Sequence, residues 1–101
     1  MPSLRGRLAF KRVRREGTRR RVGGVTVVVA AGGPRSPLVG IVVGRSVGGA
    51  VERNRAKRRL REAVARAPLR ADRDYVVIAG RAVLGARFED LVGWVARGVE
   101  E

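Results

Sequence analysis

Residues 50–67 read AVERNRAKRRLREAVARA, and this stretch decides the architecture. Ala56, Leu60, Ala63, Val64 and Ala67 stand at offsets of 0, 4, 7, 8 and 11, which is one apolar stripe of an α-helix. The helix must stop before Pro68, because a proline ring disfavours helical backbone in the residue ahead of it. So narrow a stripe needs a sheet to lie on. Two β-branched runs precede it, VTVVVAA at 25–31 and LVGIVVG at 38–44, separated by Gly32, Gly33, Pro34, Arg35, Ser36 and Pro37. Their spacing predicts a hairpin. Downstream, YVVIA at 75–79 reads as a buried strand. Phe88, Leu91, Val92, Val95 and Val99 form a second helical stripe, with Glu89 and Asp90 in the first turn, where the helix dipole favours acids. At the other end, residues 4–16 place Leu4, Leu8, Phe10 and Val13 among arginines before Gly17 and Thr18, the pattern of a short helix with a thin apolar face. Helix, strands, helix, strand and helix around one sheet make an α+β sandwich. With no repeat or composition break, residues 1–101 are expected to form a single domain.

The composition narrows the function. Of 101 residues 45% are apolar, enough for one modest core. There is no cysteine and no histidine, so disulfides, thiolate metal sites and the usual neutral-pH proton carrier are absent from the chain's chemistry. Residues 1–15 are too charged to hold a secretory signal, and no run of 18 apolar residues occurs, so a soluble, cytoplasmic protein is expected. The formal charge of +14 exceeds what solubility needs and points to a polyanionic partner. A membrane surface would suit a long basic amphipathic helix or a loose tail better than charge embedded in a patterned fold, so nucleic acid leads and no membrane partner is expected. Twenty-one of the 23 basic residues are arginine. That bias suits bidentate phosphate contacts and stacking, and a GC-rich genome would produce it as well.

The positive charge concentrates on the central helix. At about 100° per residue, Asn54, Lys57, Arg58 and Arg61 share the face opposite the apolar stripe, and Arg55, Arg59 and Arg66 lie on a flank beside Glu62. Arg55 with Arg59 and Lys57 with Arg61 are like-charge pairs one turn apart, which destabilise an isolated helix. A merely solvated face normally mixes signs. A phosphate backbone would relieve the repulsion, so this face reads as an RNA or DNA contact. Gly48 and Gly49 leave the first helical amides unshielded, either as an anion site or as a simple tight turn.

Ala50-Val51-Glu52-Arg53-Asn54-Arg55-Ala56-Lys57-Arg58 has the form Ala-Val-x-Arg-Asn-Arg-x-x-Arg and resembles the signature of the bacterial ribonuclease P proteins. The likeness continues through Leu60-Arg61-Glu62, Gly40, the Gly48 turn, Asp74 to Ala79, and Phe10 to Gly17. It implies an αβββαβα two-layer sandwich with a mixed sheet. A short first strand would fall near residues 18–22, which the residue pattern alone does not reveal. It also implies a left-handed crossover from 38–44 through the basic helix to 75–79, although about 98% of such units are right-handed. The family acts as the non-catalytic protein subunit of ribonuclease P. The implied contacts to the ribonuclease P RNA are Arg53, Asn54, Arg55, Lys57, Arg58 and Arg61. The implied contacts to the 5′ leader of precursor tRNA, in a cleft between the first helix and the sheet, are Phe10, Arg14, Val28 and Arg45. Cleavage would be carried by the RNA subunit with Mg2+, leaving the protein no catalytic residue, metal or cofactor of its own.

In that cleft the sequence departs from the family. Phe10 matches the first aromatic, but Arg14 stands where a second is usual, Val28 where the sheet often offers one, and Gly49 replaces a frequent asparagine. Arg14 can substitute by pairing with phosphate or by stacking its guanidinium. Phe10 reads as a leader contact or a core residue, Arg45 as an RNA contact or a solvated loop residue, and Trp94 as a packing residue without a role. A metal-dependent nuclease acting alone would need converging carboxylates. The candidate pairs are Asp72 with Asp74 and Glu89 with Asp90. Residues 44–49 lack the Gly-Lys-Ser/Thr of a phosphate loop. No helix-turn-helix or zinc pattern marks a DNA binder. The alternative is a ribosomal-type structural RNA-binding protein, from which only the Arg-Asn-Arg motif separates this chain.

Overall fold

The computed structural model describes residues 2–101. In chain order it contains α1 (Arg7–Glu16), β1 (Thr18–Val22), β2 (Val25–Ala31), β3 (Val39–Val43), a 3₁₀ turn (Arg45–Val47), α2 (Ala50–Ala65), β4 (Arg73–Ala79), α3 (Ala82–Gly85) and α4 (Phe88–Val99). The first strand implied by the family resemblance is present. It escapes pattern reading because Thr-Arg-Arg-Arg-Val is a polar edge strand that buries almost nothing.

Strand order is β1-β2-β4-β3, with β2 antiparallel to both β1 and β4, and β3 parallel to β4. The expected hairpin between residues 25–31 and 38–44 therefore does not form: β4 lies between them. Local spacing could not show this, since β4 is buried on both faces and takes the central place. The true hairpin is β1–β2. It turns through Gly23 and Gly24, Gly23 having φ 54°, a left-handed conformation that glycine adopts freely. Trp94 packs on both glycines, which gives it the packing role expected of it.

The handedness of the β3–α2–β4 crossover follows from one hydrogen bond. With α2 in front and β4 running upward, Tyr75 points at the viewer, because it lies in the core beneath α2. In that pose the amide of an L-residue points right. The Tyr75 amide donates to the Leu38 carbonyl at 2.9 Å, so β3 lies to the right of β4. The chain ascends β3, descends α2 and ascends β4 on the left: the crossover is left-handed, as the resemblance implied and against the general rule.

One sheet face carries α2 and α4. Ala56, Leu60, Ala63 and Val64 of α2 and Leu91, Val95 and Val99 of α4 close over Val25, Val27, Tyr75 and Val77 and form the main core. Over the other face lies α1, whose Val13 packs with Leu4 on Val28, Ala30 and Val76. The first helix begins at Arg7 rather than at residue 4. Pro2 to Leu4 instead run beside β3, where the Val39 amide donates to the Pro2 carbonyl at 3.1 Å and the Leu4 amide to the Val39 carbonyl at 3.0 Å. Buried Asp74 fixes α1 in place: its carboxylate accepts from Arg12 at 2.5 Å, from the Ser36 hydroxyl at 2.6 Å and from the Leu38 amide at 3.0 Å.

Candidate nucleic-acid interface

The basic residues of α2 divide into those that brace the fold and those that do not. Arg53 donates to the Gly48 carbonyl at 3.3 Å. Arg59 reaches over to the Ala86 carbonyl ahead of α4, with its Nε buried and unpartnered, and the Arg66 guanidinium lies 4.8 Å from the Phe88 ring centre. Asn54, Arg55, Arg58 and Arg61 are exposed and Lys57 is half-buried. Among the described residues none of these five forms an ion pair, and Glu62 on the same helix pairs with no arginine. Of the six residues expected on this surface, five thus remain free and Arg53 is partly engaged by the turn.

The helix start settles the open question about Gly48 and Gly49. The Glu52 carboxylate accepts from the Gly49 amide at 2.7 Å, and Gly48 takes φ 146°. An acid already occupies the position an anion would need, so the glycines form a turn rather than an anion site.

On the α1 face of the sheet, the register sets out parallel rows. Arg19, Val28, Val76 and Gly40 form one; Arg21, Thr26, Ile78 and Val42 form the next. The first row lies beneath α1. Phe10 rests on Gly40 so closely that a Cβ there would collide with its ring, while Val13 packs with Val28 and Val76. Beyond it, on the side away from Asp74, the Thr26–Ile78–Val42 row is only half-buried. At about 100° per residue, Arg12 leaves α1 toward Asp74, and Arg7, Phe10 and Arg14 line the flank that overlooks the uncovered row. The result is a groove with an apolar floor and a basic wall.

Phe10 is half-buried, so it serves core and groove at once. At the β3 edge its groove opens into a hollow of about 380 Å³ shared with Gly40, Ile41, Lys57 and Arg61. The structure therefore brings Lys57 and Arg61 of the basic helix beside Phe10. Arg14 is exposed on the groove wall, and Arg45 is exposed in the 3₁₀ turn that follows β3. Val28 is a correction: it is fully buried under α1 and offers RNA no surface. The resemblance supplied its position, but β2 is covered on both faces and only the coordinates reveal that. Sequence reasoning also missed Arg19 and Arg21, which alternate onto the groove side of β1. The alternation in Thr-Arg-Arg-Arg-Val would have placed them had residues 18–22 been read as a strand.

The candidate carboxylates do not converge. Asp72 pairs with Arg70 and Arg73, Asp74 with Arg12, and Glu89 and Asp90 with Arg87. A basic helix face whose cations no acid pairs with among the described residues, and a basic groove over an apolar floor, define a nucleic-acid-binding α+β protein. The chain belongs to the ribonuclease P protein family, whose model, described as Ribonuclease P, matches residues 2–100. It is similar to the ribonuclease P protein component of Symbiobacterium thermophilum, with 45% identity over 95 residues, 87% of this chain and 79% of that protein. To the component from Chloroflexus aurantiacus it is 51% identical over 55 residues, 54% of this chain, and the match spans only 41% of that relative's length. Its structure resembles the RNase P protein from Thermotoga maritima with a TM-score of 0.83 and 26% identity, covering 98% of this chain and 96% of the other.

Proposed function

We propose that the chain is the non-catalytic protein subunit of a cytoplasmic ribonuclease P holoenzyme, which removes the 5′ leader of precursor tRNA. In this reading the free face of α2 (Asn54, Arg55, Lys57, Arg58 and Arg61) binds the ribonuclease P RNA, and the groove beside Phe10 and Arg14, with Arg45 beyond β3, receives the single-stranded leader. The RNA subunit with Mg2+ carries out the cleavage. The chain's own residues bind, orient and neutralise phosphate.

The observation that carries the reading is the uncompensated α2 face. Asn54, Arg55, Arg58 and Arg61 stand exposed together, and among the described residues no acid pairs with any of them: Glu52 caps the Gly49 amide and the ion-paired acids serve arginines elsewhere. Such a face gains little from water and much from phosphate, whose bound counterions are released on contact. The test mixes the purified chain with a bacterial ribonuclease P RNA and measures precursor-tRNA cleavage at low Mg2+. Stimulation is the expected result. No stimulation would favour the ribosomal-type alternative.

A further inference from the structure

Two consecutive residues at the start of α2 hold one peptide group from both sides. The Glu52 carboxylate accepts from the Gly49 amide at 2.7 Å, and the Arg53 guanidinium donates to the Gly48 carbonyl at 3.3 Å. That amide and that carbonyl belong to the same planar Gly48–Gly49 peptide, so two side chains fix its orientation at once. Gly48 takes φ 146°, and a side chain there would collide with Glu52, so the joint needs glycine. Ahead of it lies the 3₁₀ turn, closed by the Val47 amide on the Gly44 carbonyl and the Gly48 amide on the Arg45 carbonyl, both at 3.1 Å, with Arg45 exposed. The clamped peptide is therefore the joint between the turn that carries Arg45 and the basic helix.

We propose that Arg53 is a positioning residue which, with Glu52, sets Arg45 at a fixed angle to the RNA-binding helix, and that it neutralises no phosphate of the RNA subunit. This departs from the role that family resemblance implies for the first arginine of the Arg-Asn-Arg motif, and it rests on the reading of Arg45 as a leader contact. At about 100° per residue Arg53 projects within about 20° of Leu60 and Val64, on the side of α2 that lies on the sheet, and about 100° or more from Asn54, Arg55 and Arg58. It is half-buried, and meeting an RNA laid across the outer face would mean leaving the Gly48 carbonyl. Without the clamp the glycine joint turns more freely, and each encounter with a leader must then order Arg45 at a cost in affinity. The clamp also accounts for Glu52, an acid one turn from Arg55 on a phosphate-binding helix, where charge alone disfavours it.

The experiment titrates each variant protein with the RNA subunit across a salt series, and each assembled holoenzyme with precursor and mature tRNA. Arg53→Met keeps the aliphatic stem and removes the donors. It should leave the salt slope for the RNA subunit unchanged, whereas Arg58→Ala flattens that slope by about 0.7 to 0.9. Arg45→Ala, Arg53→Met and Glu52→Ala should each weaken precursor relative to mature tRNA by about fivefold, the scale of one net hydrogen bond, while Arg53→Lys, which keeps a donor, loses little. Glu52→Ala is the sharpest arm, because removing an acid would by charge alone tighten RNA binding. Combining Arg53→Met with Arg45→Ala should cost no more than Arg45→Ala alone, since the clamp then has nothing to position. A slope for Arg53→Met as flat as for Arg58→Ala, tighter precursor binding by Glu52→Ala, or additive losses in the double variant would overturn the clamp. If the effect of Arg45→Ala depends on the leader and that of Arg53→Met does not, the clamp alone fails; if neither depends on it, the leader reading of Arg45 fails as well.

Discussion

At Asp74, two nearly adjacent acids of similar sequence context have opposite fates. Asp72 stays at the surface among Arg70, Arg73 and solvent, whereas Asp74, 2% exposed, holds Arg12, Ser36 and the Leu38 amide together. Strand alternation would give both the same face; what separates them is that Asp74 lies inside β4 and turns toward α1, whereas Asp72 precedes the strand, a boundary the sequence does not mark. Removing one partner of a buried pair is costly, and since Arg12 keeps some water the discounted loss for Asp74→Ala is about 2 to 3 kcal/mol. A urea titration should show that shift, whereas Asp72→Ala should move the midpoint little. Phe10 presents the complementary case of a side chain with two employers. Phe10→Ala should weaken precursor tRNA relative to mature tRNA by about 1 to 3 kcal/mol if a leader base stacks on it. Equal weakening of both forms, or a lowered melting temperature alone, would make it purely a core residue.

Among the elements, α2 is the most legible in the sequence, because its apolar offsets survive any choice of partner. The residues opposite that stripe emerge free in the structure, while Arg59 and Arg66, which periodicity places only on a flank, tie α2 to Ala86 and Phe88. Those ties depend on where α4 begins, which periodicity within α2 cannot encode. Similarly, β2 and β3 are recognisable as strands but not as non-neighbours, because pairing is a property of the whole sheet. The handedness is readable only through family resemblance. Changing Arg58 and Arg61 to alanine removes two candidate phosphate partners without touching the core. Affinity for the RNA subunit should fall and its salt slope flatten by about 0.7 to 0.9 for each phosphate no longer neutralised, while Phe10→Ala leaves that slope unchanged. Filter binding across a salt series tests both.

For the molecule as a whole, a net charge of +14 on 101 residues means that like charges work against the compact state. Added salt screens this repulsion over a Debye length of about 10 Å at 0.1 M. The melting temperature of the free protein should therefore rise with moderate ionic strength, the reverse of what a fold held by surface ion pairs would show; a fall in calorimetry would count against dominant self-repulsion. The order of the strands adds a consequence in time. β4 occupies the centre of the sheet yet is made after β1, β2, β3 and α2, so a growing chain that has reached residue 72 has a hairpin, a strand detached from it and a basic helix whose apolar stripe has only β3 to lie on. A fragment ending there should lack a cooperative unfolding transition, since both pairings of β4, which alone join β2 to β3, are missing. Until residues 73–79 enter between β2 and β3, nothing joins the hairpin to β3 and α2, so the basic face and the groove acquire their fixed spacing only with the last strand to be made.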